Sequence, residues 1–265
     1  MSGPAVVGVG IHSGRSSRVY LHRDDGPLRF RLGRHEVPAD ASAVVATERC
    51  TVLGVDGARV ATVEHLLAAL RVAGFWSGVV VEVEGPELPI LDGSAGPWRR
   101  AVAALGPPPP APRPWRPRTL LRFVHGHTRV RLAPGDELLT ASIDYAHHAI
   151  GRQRWSGPPE AFDALLDART FATRAEVDAL LAAGGLLGAS EGRGIVFDED
   201  GPAAPLRWPD EPVRHKALDA LGDLALLGRP LAGELTIERG SHATHLAFML
   251  QLRAHTDTSP SEASA

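Results

Sequence analysis

A proline-rich stretch near the middle of the chain restricts what this sequence can fold into. Residues 106–114 contain six prolines, and such a run can form only a stiff, extended segment. It predicts a linker over 107–117 between two halves of similar length, 1–106 and 118–255. Residues 256–265 are rich in serine and threonine, and we expect a disordered tail there.

The two halves show the same order of predicted elements. Val63-Glu64-His65 and Val213-Arg214-His215 each open a helix rich in alanine and leucine, and strands precede both. This repetition predicts an α+β fold of two stacked domains of similar topology, each a β-sheet packed with helices. A site formed by both histidines would lie at the domain interface, where small-molecule sites often occur. Strands are expected near 18–22, 28–32, 50–53, 79–83, 119–124, 128–132, 138–145, 193–198 and 233–238, and helices near 62–73, 97–105, 159–167, 174–183 and around 215.

Composition narrows the class of protein. A hydrophobic content of 44% and a formal charge of −3 predict a soluble globular protein without the basic surface that binds nucleic acid. The single cysteine, Cys50, excludes an internal disulfide and suits a reducing compartment. We recognise neither a signal peptide nor an apolar run of transmembrane length. The sequence therefore predicts a cytoplasmic protein without an integral membrane segment.

Three polar residues are spaced along one face of the second-half helix. His215, Asp219 and Asp223 follow one another at intervals of four, so they share a face. A histidine and an aspartate one turn apart can bind two sides of a zinc ion, or they can simply hydrogen-bond to each other. Lys216, the only lysine in the chain, indicates a place where the planar arginine fork would not fit, unless it remained by chance.

Glu64 and His65 lie in the first turn of the first-half helix, after Thr62, a favourable N-cap residue. A glutamate beside a metal-binding histidine can accept a proton from an attacking water, as a general base does in hydrolysis. The alternative is that Glu64 only complements the helix dipole.

Two glycine-containing turns carry further histidines. Gly240-Ser241-His242 follows a predicted strand, so His242 is expected at a strand end, where it could act as a general acid. Gly8 to Gly14 resembles a nucleotide-binding loop, but no helix pattern or suitably spaced acidic residue follows. We interpret it as a strand-end turn that brings His12 near the site. The sequence also lacks a phosphate loop with its lysine, which excludes a kinase-like enzyme.

Together these motifs resemble the zinc-dependent UDP-3-O-acyl-N-acetylglucosamine deacetylases of lipid A biosynthesis, in the same order along most of the chain. That family has two stacked α+β domains, the second with a small insert, matched here by a βαβ-like segment near 172–198. The matching pieces are Gly8-Val9-Gly10-Ile11-His12-Ser13-Gly14, Thr62-Val63-Glu64-His65, Leu91-Asp92-Gly93-Ser94-Ala95, Ala168-Arg169-Thr170-Phe171, Arg214-His215-Lys216 through Asp223, and Ser241-His242-Ala243.

The resemblance implies a set of zinc ligands and a general base. His65, His215 and Asp219 resemble the ligands of the zinc cofactor, and Glu64 resembles the base. The implied reaction is hydrolysis of the N-acetyl amide of the UDP-sugar.

The resemblance also implies groups that stabilise charge and protonate the leaving amine. His242 resembles the general acid, with Asp223 as its charged partner. Lys216 and Thr170 resemble the groups that stabilise the oxyanion.

Four positions resemble substrate-binding residues. Phe171 resembles a residue that packs on the sugar, Asp144 and Tyr145 resemble the uridine-binding strand, and Arg239 stands where a basic residue meets the diphosphate. The implied partner is a UDP-amino-sugar substrate, and we favour a monomer.

The sequence departs from the family in the insert, which forms an apolar passage for the acyl chain. Thr173, Glu191 and Arg193 are polar where apolar residues are expected, and Thr244-His245 replaces an amide-rich pair. Two alternatives therefore stay open. The protein could deacetylate another N-acetylated sugar or sugar nucleotide, or it could be a catalytically silent sugar-nucleotide-binding module.

Overall fold

The structure is a computed structural model that describes residues 5–257. Its first half contains two sheets and two helices within the described residues. The strands are β1 (Val6–Val9), β2 (Ser16–Pro27), β3 (Arg29–Leu32), β4 (His35–Pro38), β5 (Val44–Ala46), β6 (Val52–Val55), β7 (Ala58–Val60) and β8 (Ser77–Glu84), and the helices are α1 (Glu64–Val72) and α2 (Arg99–Ala103).

The second half also contains two sheets, and of its four helices two are longer than either helix of the first half, within the described residues. Its strands are β9 (Leu121–His125), β10 (Thr128–Ala133), β11 (Leu138–Asp144), β12 (Arg152–Gly157), β13 (Phe171–Thr173), β14 (Ile195–Asp198), β15 (Gly201–Pro202) and β16 (Glu234–Glu238). Its helices are α3 (Phe162–Leu165), α4 (Arg174–Ala182), α5 (Glu211–Leu224) and α6 (His242–Asp257).

The main sheets of the two halves have the same topology. The strand order is β1-β2-β8-β3-β4 in the first half and, written in the same direction, β9-β10-β16-β11-β12 in the second. The central strands β8 and β16 each pair antiparallel to one neighbour and parallel to the other. Each half also has a small three-stranded sheet, β5-β6-β7 or β13-β14-β15, inserted before its main helix. The predicted α+β class with two similar sheet–helix units is confirmed.

The pattern of burial explains these strands. β10 alternates between buried and exposed side chains over most of its length, as a strand with one face on the core does. β8 instead has a run of buried residues from Gly78 to Val81, as expected for a central strand.

Helix α1 of the first half packs against helix α5 of the second half. α1 is buried on every side, which is typical of a helix inside a layered core. Gly222 of α5 lies at the contact, where a Cβ atom would overlap the carbonyl oxygen of Glu64. Glycine is therefore needed there so that the two helices can approach closely.

The proline-rich segment runs along the first half before it enters the second. Pro108 and Pro109 lie beside Gly74 and Gly78. Trp115 then donates its backbone N–H to the carbonyl of Pro230 at 2.8 Å.

Two local predictions are wrong. Thr62 does not cap α1: its backbone has a φ of 60°, its hydroxyl donates to Glu87 Oε1 at 3.0 Å, and the helix begins at Glu64. His242 does not end a strand but is the first residue of α6, a 16-residue helix that we did not predict. The buried residues Phe248, Met249 and Leu252 follow helical spacing, but the alanine, threonine and histidine of the first turn obscure the pattern.

The last residues that the structure describes belong to α6, which reaches Asp257. The predicted tail therefore starts within the last turn of this helix, and its residues 258–265 lie outside the described part of the chain. Among the described helices, none is both long and apolar enough to cross a lipid bilayer.

Candidate active site

A histidine from each half meets an aspartate in the contact between α1 and α5. His65 Nε2 lies 3.8 Å and His215 Nε2 lies 3.3 Å from Asp219 Oδ1. All three side chains are buried, with residue exposures of 5%, 2% and 3%. One ligand atom from each lies within 4.8 Å of the other two. This group could hold a metal ion.

The protonation of the two histidines suits metal binding. His215 Nδ1 lies 3.0 Å from the carbonyl oxygen of Ala168, and this bond requires a proton on Nδ1, so Nε2 keeps a free lone pair. Burial, helped by the neighbouring His215, lowers the pKa of His65 to about 3. Burial likewise lowers the pKa of His215. Both rings are therefore neutral at physiological pH, as a metal ligand must be.

Asp219 is shared between the histidines and the single lysine. Its Oδ1 faces His65 and His215, whereas its Oδ2 accepts a hydrogen bond from Lys216 Nζ at 2.9 Å. Burial opposes ionisation of the carboxyl, but the neighbouring His215 and the ammonium group of Lys216 lower its pKa. Burial opposes the charge on Lys216 as well, but Asp219 raises the pKa of the ammonium. The aspartate is thus held as a carboxylate.

Glu64 is buried beside this group at the first residue of α1. Its Oε2 accepts a hydrogen bond from the backbone N–H of Thr51 at 3.0 Å. Burial, opposed by His242 and assisted by the Asp223 and Asp219 charges, raises the pKa of Glu64 to about 7. A carboxylate whose pKa is near neutral can both accept and release a proton at physiological pH, as a general base requires.

Asp223, one turn beyond Asp219, accepts hydrogen bonds from three side chains. Its Oδ1 accepts from Thr51 Oγ1 at 2.6 Å, and its Oδ2 lies 2.8 Å from His242 Nδ1 and 2.7 Å from His245 Nδ1. Burial would lower the pKa of His242, but the Asp223 charge and hydrogen bond raise it to about 10. His242 therefore carries a proton that it can donate.

Asp223, His242 and His245 form a second group with closely spaced ligand-type atoms. Here, however, both Nδ1 atoms lie within hydrogen-bonding distance of the same oxygen, which can only accept. Each Nδ1 thus carries a proton instead of a free lone pair. We interpret this group as a hydrogen-bonded network, not as a metal site.

Phe171 and Tyr145, two of the predicted substrate residues, form a row of rings beside the candidate metal group. Phe171 contacts His215 edge-on, with ring centroids 6.4 Å apart, and Lys216 Nζ lies 5.8 Å from the centre of its ring. Tyr145 contacts the same phenyl ring at a centroid distance of 5.4 Å. Thr170 precedes Phe171, where its backbone N–H donates to the carbonyl of Gly93 at 2.7 Å.

Asp144 and Arg239 lie farther along, at the edge of the second sheet where the parallel strands β11 and β16 both end. Asp144 pairs with Arg152 at 3.2 Å. The Arg239 backbone N–H donates to the carbonyl of Ser142 at 2.8 Å. The same edge carries Tyr145, so these residues could line a surface that extends from the buried group.

His12 lies in the turn between β1 and β2. Burial lowers the pKa of His12, and the nearby His242 contributes to this shift. Buried Glu87 anchors this turn: it accepts the backbone N–H groups of His12 and Ser13 at 3.0 and 2.8 Å, besides the Thr62 hydroxyl. Glu87 thus connects the turn to Thr62, which lies two residues before the start of α1.

Sequence reasoning missed several members of this network. Thr51 and Glu87 lie in loops and have no local signature. His245 could have been found, because it is three residues from His242 and would share its face in a helix. Its recognition depended on α6, which we did not predict.

Comparisons with known proteins identify the family of this chain. The model of the UDP-3-O-acyl N-acetylglycosamine deacetylase family matches residues 3–254. A UDP-3-O-acyl-N-acetylglucosamine deacetylase of Thermosynechococcus vestitus is 42% identical over 90% of this chain and 87% of its own length. The enzyme of the same name from Nitratidesulfovibrio vulgaris is 38% identical over 94% and 84%, and that from Anaeromyxobacter dehalogenans is 39% identical over 93% and 84%. This chain belongs to the UDP-3-O-acyl N-acetylglycosamine deacetylase family.

Proposed function

We propose that this protein is a zinc-dependent deacetylase that hydrolyses the N-acetyl amide of UDP-3-O-acyl-N-acetylglucosamine in lipid A biosynthesis. The observation that carries the proposal is the convergence of His65, His215 and Asp219 beside the buried carboxyl group of Glu64. Family membership and the names of the relatives support the choice of substrate.

The candidate ligands fit zinc. A tetrahedral zinc ion bonded at ~2.0–2.1 Å separates neighbouring ligand atoms by about 3.4 Å. The 3.3 and 3.8 Å separations from Asp219 Oδ1 to the two histidine nitrogens are close to this value. Two neutral imidazoles and a carboxylate form a donor set that zinc accepts, with one position left for water or substrate. When bound, zinc would polarise the acetyl carbonyl and make water more acidic.

Glu64 would act as the general base. Its hydrogen bond from Thr51 fixes one carboxylate oxygen, and a pKa of about 7 suits acceptance of a proton from the attacking water. Lys216 and Thr170 would stabilise the negative charge that develops on the acetyl oxygen. Each group of this kind typically contributes roughly 10²–10³ in rate.

His242 would protonate the departing amine. The charge of Asp223 keeps this histidine protonated in spite of its burial. Glu64 raises the pKa of His242, and His242 lowers the pKa of Glu64. The two residues thus form a coupled base–acid pair. Activity would require ionised Glu64 and protonated His242, so the rate should depend on pH as a bell-shaped curve.

Phe171 and Tyr145 would contact the sugar and the uracil ring, with Asp144 beside Tyr145. Arg239 would contact the diphosphate. Their support is the continuous path from the buried group through Phe171 and Tyr145 toward the edge of the second sheet.

We further propose that the protein works as a cytoplasmic monomer. Burial, followed by the charge of Glu64, raises the pKa of the Cys50 thiol to about 12, so the only cysteine is inert.

The insert supports a weak or shortened preference for the acyl chain. Thr173 caps α4 with Glu176, and Arg193 donates to the carbonyl of Gly188 at 2.7 Å. Val177 and Leu186 are buried, but Leu187 is 65% exposed. A fully enclosed acyl chain would gain about 0.8 kcal/mol per methylene, and a segment with polar Thr173 and Arg193 and an exposed Leu187 would supply less of this gain.

Mass spectrometry of products from UDP-N-acetylglucosamine carrying a long, a short or no 3-O-acyl group tests the proposal. We expect loss of one acetyl group and kcat/KM values that differ by less than a thousandfold, about 4 kcal/mol. A larger preference for the long chain would refute the weakened acyl preference. If the zinc-loaded protein deacetylates none of these substrates, the proposed enzymatic function is refuted.

A further inference from the structure

We propose that His245 is a positioning residue that fixes the orientation and proton affinity of His242 through the Asp223 carboxylate that both imidazoles contact. This inference rests on the proposed function insofar as His242 is the general acid. The contacts themselves involve only residues of this chain, and they can be measured without turnover.

The geometry gives His245 a single hydrogen-bonding task. Its Nδ1 lies 2.7 Å from Asp223 Oδ2, slightly closer than the 2.8 Å of His242 Nδ1 to the same oxygen. The two rings are nearly perpendicular, at 87°, with centroids 6.4 Å apart. Both nitrogens therefore donate to one oxygen from different directions, and the position of the carboxylate depends on both.

The surroundings of His245 prevent it from turning away. The residue is 2% exposed. A Cβ atom on Gly240 would lie only 2.6 Å from its Nε2. Gly240 has no left-handed backbone that would require glycine, so the close approach of the imidazole and of Ile237 Cγ2, also at 2.6 Å, excludes a side chain there. The chain thus keeps a glycine where the ring needs room.

The charges around His242 favour its protonated form. Both histidines lie in the first turn of α6, where the helix dipole disfavours positive charge. Carboxylates besides Asp223 also face His242 and offset this effect there. The charged and titratable groups that face His242 are Asp219 and Asp223 of α5, Glu64 of α1, His12 of the β1–β2 turn and His245 of α6.

A second N–H donor on the same Asp223 oxygen weakens the pull of this carboxylate on the His242 proton. It therefore holds the proton affinity of the acid below the value that Asp223 alone would impose. Removal of the donor should make His242 a weaker acid and free the carboxylate to rotate. Removal of Asp223 itself should change the acidity of His242 in the opposite direction.

The test compares His245→Leu, which lacks a donor, with His245→Asn, whose amide N–H can replace Nδ1–H. In zinc-loaded protein with ¹⁵N-labelled histidine, NMR follows the titration of His242 directly. We expect the midpoint, and the basic limb of the rate profile, to rise by about one pH unit in His245→Leu. Both should remain close to the wild-type values in His245→Asn.

An unmoved or lowered midpoint in His245→Leu would overturn the proposal, since a merely structural residue would change protein yield or turnover without moving this limb. If the leucine variant does not fold, Gly240→Ala, which pushes on the imidazole, should move the midpoint in the same direction. In wild-type protein His245 should carry a proton on Nδ1, and a His245 ring protonated on Nε2 alone would contradict the proposal. Because the NMR readout needs no turnover, a missing deacetylase activity would refute the proposed function alone.

Discussion

The main helices of the two halves, α1 and α5, occupy the same place in the same topology but contribute different chemistry. Each carries a histidine that faces Asp219. The residue before that histidine is Glu64 in α1 and Arg214 in α5. Glu64 is buried next to the candidate metal group, whereas Arg214 pairs with Asp210 at 2.7 Å and lies over the ring of Trp208.

The halves also differ in what surrounds these helices. α2, which ends the first half, has five residues, whereas α6 at the equivalent place has sixteen and supplies His242 and His245. The duplication thus explains the scaffold and the paired histidines. The proposed base comes from the first half, and the lysine and the proposed acid come from the second. The asymmetry between two similar units would thus let a proton acceptor and a proton donor face one substrate.

The comparison is tested most severely by the paired histidines. We expect His65→Ala and His215→Ala each to weaken zinc binding by more than about a hundredfold. Loss of a residue that only hydrogen-bonds to a metal ligand already weakens binding by up to about that factor. Deacetylase activity should be lost in both. Asp223→Asn serves as the control and should keep one equivalent of zinc by metal analysis. Full zinc occupancy in either alanine variant would remove that histidine from the ligand set.

The difference between Glu64 and Arg214 predicts the next largest effect. Glu64→Gln keeps the shape but removes the base, so kcat should fall by roughly 10²–10⁴ while zinc remains bound. Arg214→Gln, at the equivalent position of the other half, should change kcat less than about twofold because the arginine serves a surface ion pair. Similar losses in both variants would show that the halves are not divided in this way.

The proposed acid of the second half, His242, can be tested through its charged partner. Asp223 raises the pKa of His242 to about 10 against the effect of burial. Asp223→Asn removes the charge that favours the imidazolium, so the pKa of His242 should fall. The decline of activity on the basic side of the pH profile should then occur at a pH at least about one unit lower. A basic limb that stays in place would separate Asp223 from the acid.

Lys216 provides the smallest of these effects. Its ammonium bonds to Asp219 and lies over Phe171, a space in which the bulkier guanidinium fork fits poorly. Lys216→Arg should lower kcat about tenfold, less than the full loss of an oxyanion donor, and zinc should remain bound. Turnover near that of the wild type would mean that the only lysine of the chain has no special function.

The sequence predicted the scaffold and the centre of the site better than its surroundings. Regular spacing identified His215, Asp219 and Asp223, and the repeated Val-x-His pattern indicated the duplication. Such signals are local, because helix period determines which residues share a face. The fold class followed from them.

Contacts between distant segments could not be predicted in the same way. Thr51 reaches Asp223 across 172 positions of the chain, and Ala168 contributes only a backbone carbonyl to His215. Neither has a pattern in its neighbouring residues. His245 was missed because the apolar residues of α6 are interrupted by polar ones, and its partner became apparent only from the packing of α6 on α5.

The central claim is that one zinc ion lies between the two halves, held by a histidine from each. Anomalous diffraction at the zinc absorption edge from crystals of the zinc-loaded protein tests it directly. We predict one strong peak per chain at about 2.0–2.2 Å from His65 Nε2, His215 Nε2 and Asp219 Oδ1. A principal peak at Asp223, His242 and His245, or at a site that involves only one half, would contradict the account.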